Sequence, residues 1–226
     1  MFGWLRKPAS ETQVTHGQRL WLYVFAGITM VLLVTPTLIV IPMSFSESQY
    51  LEFPPKNWST RWYEHYFSSP EWMLATVTSL KAAFLTMLVA TPIGVVAAYG
   101  LHASKVKFIR IAFVLLITPM MVPVVLVAIG AFYAYVKLGI LYTLTGLVLA
   151  HTILALPLVL IVTGSALKSY DMNQELAARS LGAPRWKAFL TITLPQIRFA
   201  VVTSALLSFL TSFDEVVIAK FVSSGD

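Results

Sequence analysis

Long apolar runs separated by short polar segments make up most of this 226-residue chain. A helix needs about 20 mostly apolar residues to cross the roughly 30 Å hydrocarbon layer of a membrane, and five runs reach that length. None of them alternates apolar and polar side chains with the period of two that is typical of membrane barrels. The pattern therefore predicts an all-α polytopic membrane protein with five transmembrane helices, over residues 20–45, 82–101, 111–136, 141–167 and 199–221.

Composition excludes two other classes of protein. Hydrophobic residues make up 58% of the chain and charged residues 12%, against about a quarter charged in soluble domains. These values exclude a water-soluble globule, and the 14 Phe, 9 Tyr and 6 Trp bring too much apolar surface for a disordered chain. The chain has no cysteine and no spacing of His, Asp or Glu typical of metal ligands, so the sequence predicts neither a metal nor another cofactor.

The distribution of positive charge predicts the orientation of the helices. The chain carries 16 Lys and Arg and a net charge of +6. Most of these cations lie in segments 1–19, 105–110 and 168–198, which the five helices place on one side of the membrane. Because cytoplasmic loops are enriched in Lys and Arg, we expect a cytoplasmic N-terminal segment, an outward-facing segment 46–80 and a cytoplasmic loop 168–198. Cations scattered between apolar runs do not indicate nucleic-acid binding.

The loop 168–198 is a long polar interruption between two predicted helices, and its sequence predicts two short helices. Asp171 can cap the first, with Gln174 three residues later. Gly182 supplies the left-handed residue that ends many helices, and Pro184 suits the first turn of the next helix. Composition alone is equally compatible with an interfacial helix that rests among the lipid headgroups.

The same loop carries a spaced motif, Ala177-Ala178 and Leu181-Gly182-Ala183, then nine residues after the glycine, then Ile192-x-Leu194-Pro195. It resembles the EAA loop of the permease subunits of ABC importers, in which Glu-Ala-Ala, Gly and Ile-x-Leu-Pro have this spacing. One position differs, because the glutamate of the family motif lies where this chain has Leu176, and the acid here is Glu175. One residue corresponds to a rotation of about 100° around a helix, so the acid should point in another direction.

The resemblance implies a function. In this family two permease subunits form the translocation path, cytoplasmic ATP-binding subunits drive it, and an extracytoplasmic solute-binding protein delivers the solute. The resemblance therefore implies a multi-pass protein of the plasma (inner) membrane that is not itself an enzyme and that pairs with an identical or a different second permease. The sequence agrees in having no Gly-x-x-x-x-Gly-Lys-[Ser/Thr] phosphate loop. The residues it implies at the ATPase contact are Glu175, Ala177, Ala178, Leu181, Gly182 and Ala183.

Four further segments resemble the polyamine branch of the family, specifically its second permease subunit. They are Ser44-Phe45, Trp62-Tyr63, Ala97-Ala98-Tyr99 and Ser212-Phe213-Asp214-Glu215. This resemblance implies spermidine or putrescine as the cargo. Similar segments occur in permeases for opines, amino-acid derivatives, phosphonates and other small solutes, so these cargoes are alternatives.

An acid pair inside the last predicted helix is a second candidate site. Asp214 and Glu215 lie about 15 residues into that helix, where carboxylates are costly unless they are paired or hydrated. If they face a water-filled path, one of them could attract a cationic solute. The alternative is that one acid caps a broken helix or pairs with Lys220. His151, in the fourth predicted helix, is expected to bond a carbonyl of a neighbouring helix rather than to relay protons.

Two other classes of function can be compared with the importer. An intramembrane enzyme needs a paired His-Asp, a Ser-His arrangement or a metal-ligand cluster, and the sequence pattern indicates none of these. A secondary transporter that acts alone is typically longer and has repeated halves. The family also carries a sixth transmembrane helix, so we expect the permease domain, residues 20–226, to be either a product truncated at its C-terminus or a natural shortened variant.

Overall fold

A computed structural model describes residues 5, 7, 14–104 and 106–223, and these residues are almost entirely helical. An isolated antiparallel bridge joins Ser46 and Trp58. The cations Arg6 and Lys105, which contribute to the orientation argument, lie outside the described residues. The fold class predicted from the sequence, an all-α polytopic membrane protein, is confirmed.

Connections of different length join the α-helices of the described residues, and the longest, residues 44–60, lies between the first two. A 3-10 turn spans Thr118–Met120, and a π-helix spans Phe189–Thr193. In chain order the α-helices are α1 (Leu20–Met43), α2 (Arg61–Ser68), α3 (Pro70–Ala103), α4 (Ile109–Ile117), α5 (Val124–Leu138), α6 (Leu144–Ser169), α7 (Asn173–Ser180), α8 (Arg185–Ala188), α9 (Leu194–Gln196), α10 (Arg198–Asp214) and α11 (Val217–Val222).

Three of these helices, α1, α3 and α6, are long and apolar enough to cross a membrane. Two bent pairs have a similar composition and raise the number to five if each pair counts as one span. In the first pair, α4 and the 3-10 turn meet α5 at 96°. In the second, the segment 185–196 meets α10 at 81°.

The sequence predicts one transmembrane helix over residues 111–136, and the structure divides this stretch in two. Two prolines explain the break. Pro119 lies in the 3-10 turn, and Pro123 precedes the first residue of α5 with an extended ψ of 128°. Proline has no N–H and its ring clashes with the preceding turn, so an α-helix that ran through this segment would lose hydrogen bonds.

The last predicted helix, over residues 199–221, is also broken. α10 ends at Asp214, Glu215 has extended backbone angles of φ −81° and ψ 100°, and α11 begins at Val217. The Glu215 carboxylate accepts a hydrogen bond of 2.9 Å from the N–H of Ile218. It therefore satisfies one of the free donors in the first turn of α11, which is the capping role considered for an acid of this pair.

The second predicted helix begins earlier than the apolar pattern indicates. α3 starts at Pro70 rather than at residue 82. Proline is favoured in the first turn of a helix, and Glu71 complements the positive N-terminal end. The first turns of α3 are too polar to appear as an apolar run, so part of the segment expected to be a loop is helical.

The chain forms two compact units, residues 1–73 and 74–226. In the first unit, a loop connects α1 to α2. The bridge between Ser46 and Trp58 joins the two ends of this loop. The indole Nε1 of Trp62 donates to the carbonyl of Ser48 at 3.2 Å. A cavity of about 550 Å³ lies between the end of α1, this loop and α2, and aromatic side chains form much of its wall.

In the second unit, α6 and α10 form the most extensive helix pair, and α11 packs against α5 and α6. α3 approaches α6 closely at a position that has no side chain. A Cβ added to Gly94 would lie 2.5 Å from a methyl carbon of Val159. Small residues allow such close helix contacts, so glycine is required here by space.

Candidate functional site

The first short helix of the loop 168–198 ends in a left-handed turn. Before its first turn, Asp171 Oδ1 accepts a hydrogen bond of 3.0 Å from the N–H of Asn173. At its end, Gly182 has a φ of +92° and donates from its N–H to the carbonyl of Arg179 at 3.0 Å. A Cβ at Gly182 would meet no atom within 4 Å. The backbone angle, and not the space around it, therefore calls for glycine.

The second short helix continues towards α10 without a loop. Pro184 precedes α8 in an extended conformation, α8 widens into the π-helix, and the chain bends at Ile197 into α10. Large apolar side chains lie exposed along this loop: Leu181 is 90% exposed and Trp186 is 67% exposed. These side chains give the loop an exposed apolar surface.

Glu175, the acid of the loop, is turned inward and is only 1% exposed. Both carboxylate oxygens accept hydrogen bonds, one of 2.6 Å from the hydroxyl of Tyr99 and one of 2.7 Å from the hydroxyl of Thr193. The Tyr99 hydroxyl in turn accepts a hydrogen bond of 3.2 Å from Nε of Arg185. These residues come from α3, α7, α8 and the π-helix, so the network joins the loop to the end of α3.

The structure divides the residues expected at the ATPase contact into two groups. Glu175 faces the interior, whereas Leu176, at the position of the family's acid, is exposed. This follows from the displacement of the acid by one residue, which rotates its side chain by about 100°. The remaining residues are exposed or half-buried: Ala177, Ala178, Leu181, Gly182 and Ala183.

The break between α10 and α11 leaves one acid exposed. Asp214 is the last residue of α10 and is exposed, whereas Glu215 is half-buried and bonds the N–H of Ile218. The C-terminal end of a helix carries partial negative charge from its free carbonyls, which adds to the Asp214 carboxylate. This negative end lies about 24 Å from Arg198 at the other end of α10, at 1.5 Å per residue.

Hydroxyl groups of α10 contact side chains of two neighbouring helices, α6 and α3, between the loop 168–198 and Asp214. Nδ1 of His151 lies 2.7 Å from Oγ of Ser212, and Ser212 Oγ lies 3.3 Å from Oγ1 of Thr86. Two turns earlier, the hydroxyls of Thr163 and Ser204 lie 3.3 Å apart. Side-chain bonds therefore join α10 to α6 at two levels and to α3 at one.

The contact between His151 and Ser212 corrects two expectations. The partner of His151 is a hydroxyl rather than a backbone carbonyl, and the sequence pattern indicated no Ser-His arrangement. Both side chains are 3% exposed, and Nε2 of His151 has no hydrogen-bond partner among the described residues. A nucleophile must reach its substrate, so this buried pair is not arranged for hydrolytic catalysis. In the described part of the chain, no group of three or more His, Cys, Asp or Glu is placed to hold a metal ion.

Sequence reasoning did not predict the contacts of three residues that complete these networks, Tyr99, Thr193 and Ser212. A periodic signal marks one of them, because serines recur every four residues from Ser204 to Ser212 and so share one face of α10. Tyr99 and Thr193 lie 76 and 18 residues from Glu175 along the chain. No local pattern indicates contacts over such separations.

Residues 90–226 match the model of the family described as the inner membrane component of binding-protein-dependent transport systems. The match covers more than half of the chain and includes both the loop 168–198 and the acid pair. The chain belongs to this family. It is a permease subunit of an ABC importer and a multi-pass membrane protein.

Permeases of polyamine transport systems align with most of this permease. It is 31% identical over 199 residues to the spermidine/putrescine transport system permease protein PotC of Haemophilus influenzae, covering 88% of this chain and 77% of that protein. It is 32% identical over 214 residues to the putrescine transport system permease protein PotI of Escherichia coli, covering 90% and 74%. The molybdenum transport system permease protein ModB of Escherichia coli is 30% identical over 161 residues, covering 66% and 70%.

A solved structure shares the fold of this permease. The crystal structure of a bacterial ABC transporter involved in the import of the acidic polysaccharide alginate contains a chain that matches with a TM-score of 0.67. The two chains are 17% identical, and the match covers 91% of the permease and 74% of the other chain.

Proposed function

We propose that this permease imports a polyamine, spermidine or putrescine, and that its loop 168–198 docks on a cytoplasmic ATPase. The observation that carries the docking role is the exposed apolar surface around Leu181 and Trp186, on a loop held from behind by the buried Glu175. Apolar side chains at the centre of a contact are what a partner protein covers. Similarity to PotC and PotI supports a polyamine as the cargo.

The proposed complex contains three kinds of partner. ATP-binding subunits contact the exposed side of the loop 168–198, and the buried Glu175 positions the loop through its hydrogen bonds. A second permease, identical or different, completes the path, and an extracytoplasmic solute-binding protein delivers the solute. The N-terminus faces the cytoplasm. The residues that contact the ATPase are Ala177, Ala178, Leu181, Gly182 and Ala183.

The lipid bilayer is the environment of α1 in this proposal. The helix is apolar on all sides and has no buried residue. A helix of that kind is stable where its whole surface faces hydrocarbon or another membrane helix.

Asp214 is the residue that we assign to the solute path. Its carboxylate is exposed at the end of a broken helix, where the partial negative charge of the helix end adds to its own. Breaks in membrane helices line the solute sites of many transporters. A polyamine ammonium group is attracted to such a site. Glu215 contributes to the path mainly by stabilising the break, since the N–H of Ile218 occupies its carboxylate.

Another small solute, such as an opine, an amino-acid derivative or a phosphonate, is the alternative cargo. Similarity to ModB shows that comparable identity extends to a permease of a different transport system. The negative end of α10 favours the polyamine, because it attracts a cation and repels an anion such as a phosphonate. A thermal-shift screen of the cognate solute-binding protein distinguishes these cargoes. Stabilisation by spermidine or putrescine supports the proposal, and stabilisation by a phosphonate alone contradicts it.

The docking role is tested with a single charged substitution. Leu181→Glu places a carboxylate on a side chain that is 90% exposed, so it should leave the fold intact and disrupt an apolar contact. We expect the ATPase subunits to be lost when the permease is purified from cells that express all subunits. Leu51→Glu is the matched control, because Leu51 is 92% exposed and lies in the segment 46–80, which is predicted to face away from the cytoplasm. Retention of the ATPase by Leu181→Glu contradicts the docking role.

A further inference from the structure

The buried carboxylate of Glu175 belongs to the docking loop, but its contacts reach a membrane helix. We propose that Glu175 is a positioning residue that locks the docking loop to the end of α3 through Tyr99 and Thr193. A displacement of the loop by its partner then moves α3 with it. This inference rests on the proposed function, because it takes the loop as the contact with the ATPase.

The hydrogen bonds around Glu175 form a continuous chain. Nε of Arg185 donates to the Tyr99 hydroxyl at 3.2 Å, and that hydroxyl donates to Glu175 at 2.6 Å. Thr193 donates to the other carboxylate oxygen at 2.7 Å. Two accepting oxygens suit an ionised carboxylate, and bonds to a charged acceptor are the stronger ones. Each bond in such a chain polarises the next, so the loss of one weakens the others.

Burial explains why this chain of bonds can transmit a displacement. At 1% exposure, water cannot replace a hydroxyl that moves away from Glu175. A buried carboxylate without its donors is strongly unfavourable. Separating α7 from α3 would leave that charge without the Tyr99 hydroxyl, so the loop and the end of α3 are held together during a displacement.

Aromatic packing fixes the Tyr99 ring, so that its hydroxyl is aimed at Glu175. The rings of Tyr99 and Phe189 have their centroids 4.4 Å apart and are tilted by 45°. Both belong to one apolar cluster with Val95 and Leu167. A phenylalanine at position 99 would keep this packing and lose only the hydroxyl, which separates the hydrogen bond from the core around it.

The experiment measures solute imported per ATP hydrolysed in proteoliposomes that contain the permease with its partner subunits. In Tyr99→Phe and Thr193→Val, we expect this ratio to fall about tenfold, the factor that corresponds to the loss of one hydrogen bond to a charged group. ATP hydrolysis and copurification of the ATPase should persist. Gln174→Ala is the matched control, because Gln174 is exposed in the same helix and its side chain accepts a bond of 3.3 Å from Gln196 rather than contacting Glu175.

A second variant tests the direction of the acid. Glu175→Leu combined with Leu176→Glu moves the carboxylate to the exposed side of α7, at the position of the family's acid. We expect this exchange to lower the ratio as Tyr99→Phe does. An exchange variant that imports as much solute per ATP as the wild type overturns the proposal, as does an unchanged ratio in Tyr99→Phe.

Failure of the proposed function and failure of the locking role of Glu175 give different results. If the wild-type permease shows no ATP-driven import with its partners, the proposed function is wrong, and this inference is wrong with it. If the wild type imports and the ratio is unchanged in Tyr99→Phe, only the locking role of Glu175 is wrong. The thermal unfolding temperature of Tyr99→Phe should stay close to that of the control Gln174→Ala, because the aromatic packing is kept.

Discussion

The imidazole Nδ1 of His151 lies 2.7 Å from the hydroxyl of Ser212, two residues before the acid that ends α10. This contact holds the end of α10 against α6, and the bond from Ser212 to Thr86 extends it to α3. Three helices therefore determine where Asp214 lies. The acid that we assign to the solute path is positioned by buried side-chain bonds and not only by the course of its own helix.

The Ser212 hydroxyl should contribute measurably to stability. Ser212→Ala removes two interhelical bonds and leaves both nitrogens of His151 without a hydrogen-bond partner among the residues that the structure describes. We therefore expect the free energy of unfolding to fall by about 1 kcal/mol. Thermal unfolding of the purified permease in detergent measures this change. Ser208→Ala is the control, because the Ser208 hydroxyl bonds a carbonyl of its own helix, that of Ser204 at 2.9 Å. Equal losses in the two variants would show that the interhelical bonds add nothing.

The two acids at the helix break should respond differently to neutralisation. Asp214→Asn removes the exposed charge, and we expect the apparent KM for spermidine to rise about tenfold, as for the loss of one charge-assisted bond. Glu215→Gln keeps an oxygen that can accept from Ile218, so its KM should change little. Uptake of labelled spermidine as a function of concentration measures both. A larger change in Glu215→Gln than in Asp214→Asn reverses the assignment.

Gly182 should tolerate some side chains and not others. No atom lies within 4 Å of a Cβ added there, so the cost comes from its φ of +92°. Asparagine adopts positive φ more readily than most residues, and β-branched residues do so least. We expect Gly182→Asn to keep most ATP-driven uptake and Gly182→Val to lose most of it. Similar uptake by the two variants would mean that the left-handed turn does not position the docking loop.

The close approach of α3 and α6 at Gly94 gives a prediction with a rescue. Gly94→Ala places a Cβ 2.5 Å from a methyl carbon of Val159, and we expect a destabilisation of about 1–3 kcal/mol from overpacking. Val159→Ala removes the methyl carbon at 2.5 Å and keeps the Val159 Cβ at 2.7 Å, so the double variant should recover only part of the loss. The thermal unfolding temperatures of the two single variants and the double variant measure this coupling. Strictly additive effects would contradict the close contact.

Apolar periodicity predicted the class of fold and the approximate positions of the long helices, because the requirement for about 20 apolar residues is local. It did not predict the breaks. Pro119 and Pro123 interrupt the helix and change the direction of the chain, but they leave the apolar run unbroken. The break at Glu215 depends on a hydrogen bond between its carboxylate and a backbone N–H three residues later. A pattern of apolar residues records neither feature.

The candidate site could be predicted only in part, because some of its features depend on local sequence and others on how the helices pack. The local sequence predicted that a left-handed glycine ends the first short helix, and Gly182 has that conformation. The displacement of Glu175 by one residue predicted a direction different from that of the family's acid, but not that the side chain is buried. Its partners could not be predicted, because Tyr99 lies on another helix 76 residues away. Long-range partners of a buried charge depend on how the helices pack, which no single segment encodes.

The central claim is that this chain imports a polyamine at the expense of ATP hydrolysed by a partner. Its most direct test is the accumulation of labelled spermidine in proteoliposomes that contain the permease, its second permease, the ATPase and the solute-binding protein. We predict accumulation that requires ATP, that putrescine competes with, and that falls in Asp214→Asn. Accumulation without ATP, or competition by a phosphonate but not by putrescine, would contradict the account.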